Sequence, residues 1–318
     1  MTSLLLIGAG FSRNWGGWLA SQVDEHLPTT PEVHQNAELL SLLNRAQGFE
    51  SALAQVQREY ALRSTEANLA NLQALQKAIR KMFADMDAGF AALPSLDFPD
   101  RRGHHNVEFK ISGFLGRFDA IFSLNQDLLL ERHYQNGDLV TALPRKWSGR
   151  ERPGLRALST TNTGMPYDVS KDRWTPVDPA SFSLRQGQQP IFKLHGSSDW
   201  WSASGEPMLI MGGDKVSDIK RHPLLNWYQE RFEDYLRVPG VRLMVIGYGG
   251  SDQHINQTIA AAHADNPSLS LFNIHPKGRD TLPDEFKKLT NIGASSQLLS
   301  ATFAGDVAEL RKIMRFFG

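Results

Sequence analysis

Two polar side chains that could take part in chemistry at neutral pH each follow a buried apolar run. Asn125 comes directly after Phe118–Leu124, and His195 comes directly after Pro190–Leu194. A histidine at the end of a buried strand suits a general base, because its ordinary pKa lies near neutral pH. The side chains of Asn125 and Asp127 could hydrogen-bond sugar hydroxyls. Two simpler interpretations stay open: a histidine satisfied by a backbone carbonyl, and an Asp127 that only caps a helix.

A glycine-rich turn follows the first apolar run, Ser3–Ile7. The turn consists of Gly8, Ala9, Gly10, Phe11 and Ser12. A strand, glycines and a helix start present backbone N–H groups and a positive helix end, which together favour a diphosphate. The alternative is an ordinary tight turn between a strand and a helix.

Two further candidate binding segments follow later strands. Gly247 and Ser251 belong to a second glycine-rich turn after Val241–Ile246, and Asn273 lies in the strand run Ser268–Ile274. We interpret these residues as contacts for a phosphate or a ribose. The competing interpretation is structural: Ser251 or its neighbour caps the next helix, and Asn273 is a turn residue before a proline.

The elements that must position these residues alternate between strands and helices. Helical patterns cover Trp15–Leu27, Glu108–Gly116, Leu224–Leu236, Ile255–Ala264 and Asp306–Phe317, and Gln297–Phe303 is a candidate sixth strand. Such alternation predicts an α/β fold, a Rossmann-like doubly wound parallel sheet in which ligands bind beyond the carboxyl ends of the strands.

Two long segments interrupt this pattern. Leucines recur at helical spacing from Glu32 to Leu93, which predicts a helical subdomain at 32–98 inserted into a single domain spanning 1–318. Residues 137–190 are rich in Gly, Pro, Ser and Thr and predict a long irregular loop.

The composition excludes several kinds of site. The 318 residues include 34 basic and 34 acidic side chains, so no global charge draws the chain to nucleic acid, and direct nucleic-acid binding is not expected. There is no cysteine, which excludes disulfides, thiol nucleophiles and cysteine-bound zinc. His104-His105 lacks matching ligands nearby, so no metal site is predicted. No apolar run is long enough to span a bilayer, and we expect a cytoplasmic protein.

The order of the motifs resembles the sirtuin superfamily. GAGFS, SLNQD, KLHGS, IGYGGSD and FNIHP follow one another along most of the chain. The resemblance implies that NAD⁺ is the substrate and that Asn125, Asp127 and His195 are catalytic. It also implies cofactor contacts from the Gly8–Ser12 turn, Gly247, Ser251 and Asn273.

Departures from the protein deacylases of that superfamily point to one branch. The four zinc-binding cysteines are absent, and Arg13-Asn14-Trp15 stands where the deacylases have a proline-aspartate-phenylalanine-arginine segment. The chain resembles instead the zinc-free NADases of bacterial antiphage systems. That resemblance implies a homo-oligomer, a HerA-type ATPase or Argonaute-like partner, and depletion of NAD⁺ in abortive infection.

Two other function classes remain open from the sequence. One is a regulatory module that binds NAD⁺ or ADP-ribose without cleaving it. The other is a zinc-free deacylase or ADP-ribosyltransferase, which needs an acyl-lysine peptide or an acceptor protein, whereas an NADase needs only water.

Overall fold

A computed structural model describes residues 1–99, 109–135, 146–158, 173–289 and 292–318. The strands in these ranges are β1 (Ser3–Ile7), β2 (Ala120–Ser123), β3 (Gly149–Glu151), β4 (Leu155–Ala157), β5 (Trp174–Pro176), β6 (Gln188–Lys193), β7 (Gly196–Trp201), β8 (Pro207–Leu209), β9 (Arg242–Ile246), β10 (Ser270–Ile274) and β11 (Ile292–Ser295). The helices are α1 (Ala9–Ser12), α2 (Ala20–His26), α3 (Pro31–His34), α4 (Ala37–Arg45), α5 (Phe49–Leu62), α6 (Glu66–Ala91), α7 (Ile111–Leu115), α8 (Lys215–Arg221), α9 (Pro223–Leu236), α10 (Gln253–Asp265), α11 (Leu299–Phe303) and α12 (Val307–Met314).

Seven strands form one parallel sheet in the order β11-β10-β9-β1-β2-β6-β3. Strand β1 is central and wholly buried, as its continuous apolar sequence requires. Leu5 and Ile7 belong to one hydrophobic cluster, whereas Leu4 and Leu6 belong to the other. Because alternate side chains point to opposite faces, helices cover both faces of the sheet. This architecture confirms the predicted Rossmann-like α/β fold.

The strand order reverses direction at β1. The chain runs from β1 to β2 on one side and later returns to place β9 on the other. In open parallel sheets, a crevice forms at the carboxyl ends of strands on either side of such a switch point. The Gly8 turn follows β1 and the Gly247 turn follows β9, so both predicted glycine turns lie at this point.

A second, smaller sheet has the order β4-β5-β7-β8. Its strand β7 begins three residues after β6 ends, so the short link Leu194-His195 joins the two sheets. Gly196 makes this junction possible: its φ is +75°, and a Cβ there would lie 1.9 Å from the carbonyl oxygen of Met208. His195 is thereby fixed between the sheets.

The helical segment between β1 and β2 packs on one face of the main sheet. Its longest helix, α6, buries a face that includes Leu75, Ile79, Met82 and Phe83 in the same cluster as Leu5. Thr65 caps the start of α6 by accepting a hydrogen bond from the Asn68 amide at 3.2 Å. None of the helices that the structure describes is long and apolar enough to cross a bilayer.

Two predicted segments differ from the structure. The candidate strand Gln297–Phe303 is wrong, because Leu299–Phe303 is helical and the edge strand is Ile292–Ser295. The observed strand is short and contains Gly and Ala, so it lacks the apolar run that marks the other strands. The stretch predicted to be an irregular loop, 137–190, contains β3, β4 and β5 in its described part. Each has only three residues, too few to show a period in the sequence.

Candidate active site

The polar residues predicted at the ends of β1 and β2 meet in one cluster. Asn125 donates a hydrogen bond from Nδ2 to Oγ of Ser12 at 2.9 Å, and both side chains are buried. Asp127 also contacts the Ser12 hydroxyl, and it accepts a hydrogen bond from the Leu129 amide at 3.1 Å. Burial raises the pKa of the Asp127 carboxyl despite the charge of nearby Lys193. Asp127 therefore belongs to both the polar cluster and the local turn, so its two interpretations from the sequence are compatible.

His195 lies next to this cluster. Its backbone oxygen accepts a hydrogen bond from Nε2 of Gln126 at 3.1 Å, and its ring contacts the backbone carbonyl of Leu124. The side chain is only 3% exposed. Burial lowers the pKa of the imidazole to about 3, which makes His195 neutral at pH 7.

A second histidine, His254, faces the first. The two Nε2 atoms lie 3.1 Å apart, so one of them donates and the other accepts. Nε2 of His195 faces His254, so we assign the nitrogen near the Leu124 carbonyl as Nδ1 and place the proton on it. Nε2 of His195 is then the acceptor, and its lone pair is engaged by the N–H of His254.

An ion-pair chain extends from this histidine pair. Asp252 pairs with Lys215 at 2.7 Å, and Lys215 also pairs with Glu50 of α5 at 2.8 Å. Although burial opposes its ionisation, the charge and hydrogen bond of Lys215 help to hold the pKa of the Asp252 carboxyl below its ordinary value. Asp252 is the residue at the start of α10, yet its side chain caps no backbone amide there. Its carboxylate is directed toward Lys215 instead.

A buried charged group adjoins Asp127. Lys193 donates to Glu131 at 2.9 Å, to Ser197 at 2.8 Å and to the Asp127 carbonyl at 2.5 Å. The Lys193 and Glu131 side chains are 3% and 4% exposed. These three donor–acceptor contacts around one ammonium offset its desolvation and hold the ends of β2 and β6 together.

The two glycine turns interlock. The Gly10 amide donates to the Gly247 carbonyl at 2.9 Å, and the Gly8 amide donates to the Ile246 carbonyl at 3.0 Å. A Cβ at Gly10 would lie 2.7 Å from Cα of Gly247. These glycines are therefore required for contact between the two turns, a reason that the sequence did not reveal. Ala9 is the exposed residue of the first turn, whereas Phe11 is buried in the core.

The remaining predicted binding residues lie at the same edge of the sheet but differ in how far their side chains are exposed to solvent. Ser251 is exposed after the second turn. Asn273 is 1% exposed; its Nδ2 donates to the Gly278 carbonyl at 2.6 Å, while its Oδ1 has no hydrogen-bond partner. The doublet His104-His105 lies outside the described residues.

Sequence reasoning did not find His254, Lys215, Glu50 or Glu131 as parts of this site. His254 is 59 residues from His195, and Glu131 is 62 residues from Lys193. Only the proximity of these residues to the IGYGGSD and SLNQD motifs could have drawn attention to His254 and Glu131. Lys215 and Glu50 carry no local signal.

The parallel sheet and the polar cluster at its strand ends define a doubly wound α/β protein with a candidate ligand site at the switch point. A family model described as a SIR2-like domain matches residues 119–291, more than half of the chain. The chain belongs to this SIR2-like family.

Comparison with solved structures gives weaker similarities. One is the ADP-ribose complex of a serine-to-alanine mutant of a Sir2 homologue, with 12% identity and a TM-score of 0.41, covering 99% of this chain and 93% of the other. Another is a structure described as the structural basis for the mechanism and regulation of Sir2 enzymes. It has 11% identity and a TM-score of 0.39, and it covers 99% of this chain and 93% of the other. No curated protein matches the chain in sequence. The fold assignment therefore rests on the strand order itself.

Proposed function

We propose that this protein is an NAD⁺ glycohydrolase that cleaves NAD⁺ to nicotinamide and ADP-ribose. The observation that carries the proposal is the Asn125–Ser12 hydrogen bond at the carboxyl ends of β1 and β2, with His195 at the carboxyl end of the neighbouring strand β6. Membership of the SIR2-like family supports NAD⁺ as the ligand of that edge. The absence of cysteine separates the chain from the zinc-binding deacylases.

In this proposal each polar residue has one role. Asn125 holds the nicotinamide ribose and a water molecule, while Asp127 binds a ribose hydroxyl or stabilises positive charge. The bond between the ribose C1′ and the nicotinamide nitrogen breaks, and the electron pair leaves with neutral nicotinamide. Water adds to C1′ and its proton passes to His195. Because the leaving group is already cationic, positioning and charge stabilisation are the main tasks of the protein.

We assign the rest of NAD⁺ to the two interlocked turns. The diphosphate lies along Gly8, Ala9, Gly10, Phe11 and Ser12, with Ala9 offering the exposed backbone. Gly247 and Ser251 border this path from the second turn. Oδ1 of Asn273, buried without a hydrogen-bond partner, is the acceptor offered to an adenosine ribose hydroxyl.

The closed state of the site favours a second candidate function. His195 is almost fully buried and its Nε2 is engaged by His254, so the proton acceptor is not available as the structure stands. A module that binds NAD⁺ or ADP-ribose without turnover would have such a site. We favour a latent enzyme whose site opens on assembly, either as a homo-oligomer or with a HerA-type ATPase or Argonaute-like partner, in antiphage defence.

The test is NAD⁺ turnover by the purified chain at several protein concentrations, with nicotinamide and ADP-ribose measured by chromatography. We expect His195→Ala and Asn125→Ala to lower the rate about 100-fold or more, the effect of losing a general base or a positioning group. His34→Ala, an exposed histidine on the helical segment, is the matched control and should keep the wild-type rate.

The outcomes separate the candidates. Turnover that neither variant lowers would refute the proposed site. Saturable NAD⁺ binding with no nicotinamide release at any concentration would favour the binding module. Release that rises steeply with protein concentration would support activation by self-assembly.

A further inference from the structure

Three metal-binding side chains meet at the edge of the candidate active site. They are His195 at the junction of the two sheets, Asp252 before α10 and His254 in the first turn of α10. One ligand atom from each lies within 4.8 Å of the others. Among the described residues, this is the group of histidine and acidic side chains that could hold one ion.

The spacing of the two imidazoles matches that of ligands on one ion. Tetrahedral zinc with Zn–N bonds of about 2.0–2.1 Å places two nitrogen ligands about 3.3 Å apart. The two Nε2 atoms are 3.1 Å apart. An ion in place of the shared proton requires both rings to turn so that their Nε2 lone pairs converge on it, with little change in the distance between the two nitrogens.

The surroundings of His195 prepare Nε2 as a ligand. We assign its other ring nitrogen to the Leu124 backbone carbonyl, and this tautomer has a lone pair on Nε2. Histidines that bind metals almost always donate their second N–H to a carbonyl or carboxylate in this way.

The carboxylate of Asp252 is also available to bind a metal ion. The side chain of Asp252 is 13% exposed, caps no backbone amide, and contacts Lys215 through Oδ1. Lys215 has a second partner in Glu50, so it remains paired if Asp252 also binds an ion. Two carboxylates around one ammonium leave one excess negative charge, which favours an added cation.

We propose that His195, Asp252 and His254 bind one divalent transition-metal ion, with Zn²⁺ the best fit to two imidazoles and one carboxylate. The bound ion takes the Nε2 lone pair of His195 and thereby inhibits hydrolysis. The inhibition rests on the proposed function, whereas the binding does not.

The test measures binding directly on the full chain after chelator treatment. ZnCl₂ is titrated in competition with a chromophoric zinc indicator, and CoCl₂ is titrated while the visible absorption of the ion is followed. We expect one equivalent of either ion to bind. The variants His254→Ala, His254→Gln and Asp252→Asn should each weaken binding at least about tenfold, the loss that even an outer hydrogen-bond partner of a ligand can cause.

His263→Ala provides the matched control, since His263 lies nine residues further along α10 and should not affect binding. Circular dichroism of each variant verifies that it is folded, and the glutamine variant keeps the side chain polar in case alanine disturbs the helix. The absence of saturable binding to the wild type, or equal affinity in the folded His254 variants, would overturn the proposal.

Activity provides a separate measurement. If the chain hydrolyses NAD⁺, Zn²⁺ should inhibit the wild type at the concentration at which the ion binds, and the His254 variants should need at least about tenfold more. Inhibition that is equal in both would overturn the inhibitory role. A chain with no NAD⁺ turnover still answers the binding question through the cobalt and zinc titrations, so the two proposals fail separately.

Discussion

Replacing Gly247 with alanine should destabilise the fold by separating the two interlocked turns. Gly247 has φ of +66°, a conformation that costs an L-residue roughly 1–2 kcal/mol. Its Cβ would also lie 2.2 Å from the Phe11 nitrogen and 2.3 Å from the Gly10 carbonyl carbon. Both neighbours are backbone atoms, so no side-chain rotation relieves the contact.

The loss of stability in Gly247→Ala also includes the hydrogen bond that joins the two turns. The hydrogen bond from Gly10 to the Gly247 carbonyl, 2.9 Å long, would stretch or break. Both residues are half-buried, and leaving the donor or acceptor of this bond without a partner costs about 1–3 kcal/mol. Together with the backbone strain, we expect Gly247→Ala to lower the free energy of unfolding by about 2–5 kcal/mol.

Gly249→Ala is the matched control in the same turn. A Cβ at Gly249 has no heavy atom within 4 Å, and its φ is not in the left-handed region. We expect its effect to stay within about 0.5 kcal/mol. The assay is urea unfolding followed by circular dichroism, with ADP-ribose binding measured on the folded variants. Equal midpoints for the two variants would refute the interlock as the reason for these glycines.

Two further predictions concern buried charge. As pH falls, the unfolded imidazole of His195 takes up a proton near pH 6.5 while the folded one resists until about pH 3, so stability should decline across this window by about 1.4 kcal/mol per pH unit. His195→Gln should remove that part of the slope, as measured by urea unfolding at a series of pH values in chelator; an unchanged slope would contradict the burial argument. Lys193→Met should cost about 3–5 kcal/mol because it leaves the Glu131 carboxylate buried without its partner. The double variant Lys193→Met/Glu131→Gln should regain part of that loss in the same unfolding assay, and no recovery would show that the ammonium acts through its other contacts.

The strands of the main sheet were predictable because burial on both faces leaves a continuous apolar run. Ser3–Ile7 was predicted with its observed bounds, and the predicted runs for β2, β6, β9 and β10 overlap those strands with small shifts at their ends. The edge strand Ile292–Ser295 was missed because an edge needs fewer apolar side chains. Hydrophobic burial therefore reveals the centre of the sheet more clearly than its margin.

The residues at strand ends were predictable for a related reason. In a parallel sheet all carboxyl ends lie at one edge, so polar residues after buried runs must converge. Asn125 and Ser12, 113 residues apart, meet as this rule requires. The rule gives no information on what else packs at that edge, so His254 and Lys215 stayed unpredicted. Both come from helix starts and reach the site only through tertiary packing.

The reason for the glycines was also beyond sequence reasoning. Glycine after a strand indicates a close approach, but the pattern does not say whether a ligand or another backbone approaches. In the structure Gly10 and Gly247 approach each other. A diphosphate bound here must therefore lie on the outer side of the paired turns, where Ala9 and Ser251 are exposed. The contact between the two turns therefore leaves fewer positions for a diphosphate than the glycine motifs alone indicate.

The helical segment is connected to the candidate base through a short chain of polar contacts. Glu50 of α5 pairs with Lys215, Lys215 pairs with Asp252, and Asp252 is two residues before His254, whose ring engages His195. The Glu50–Lys215, Lys215–Asp252 and His254–His195 contacts join residues that are distant in sequence, so we expect a shift of α5 to disturb the groups around His195. A partner or second copy that binds the helical segment can thus act on the histidine pair without touching it.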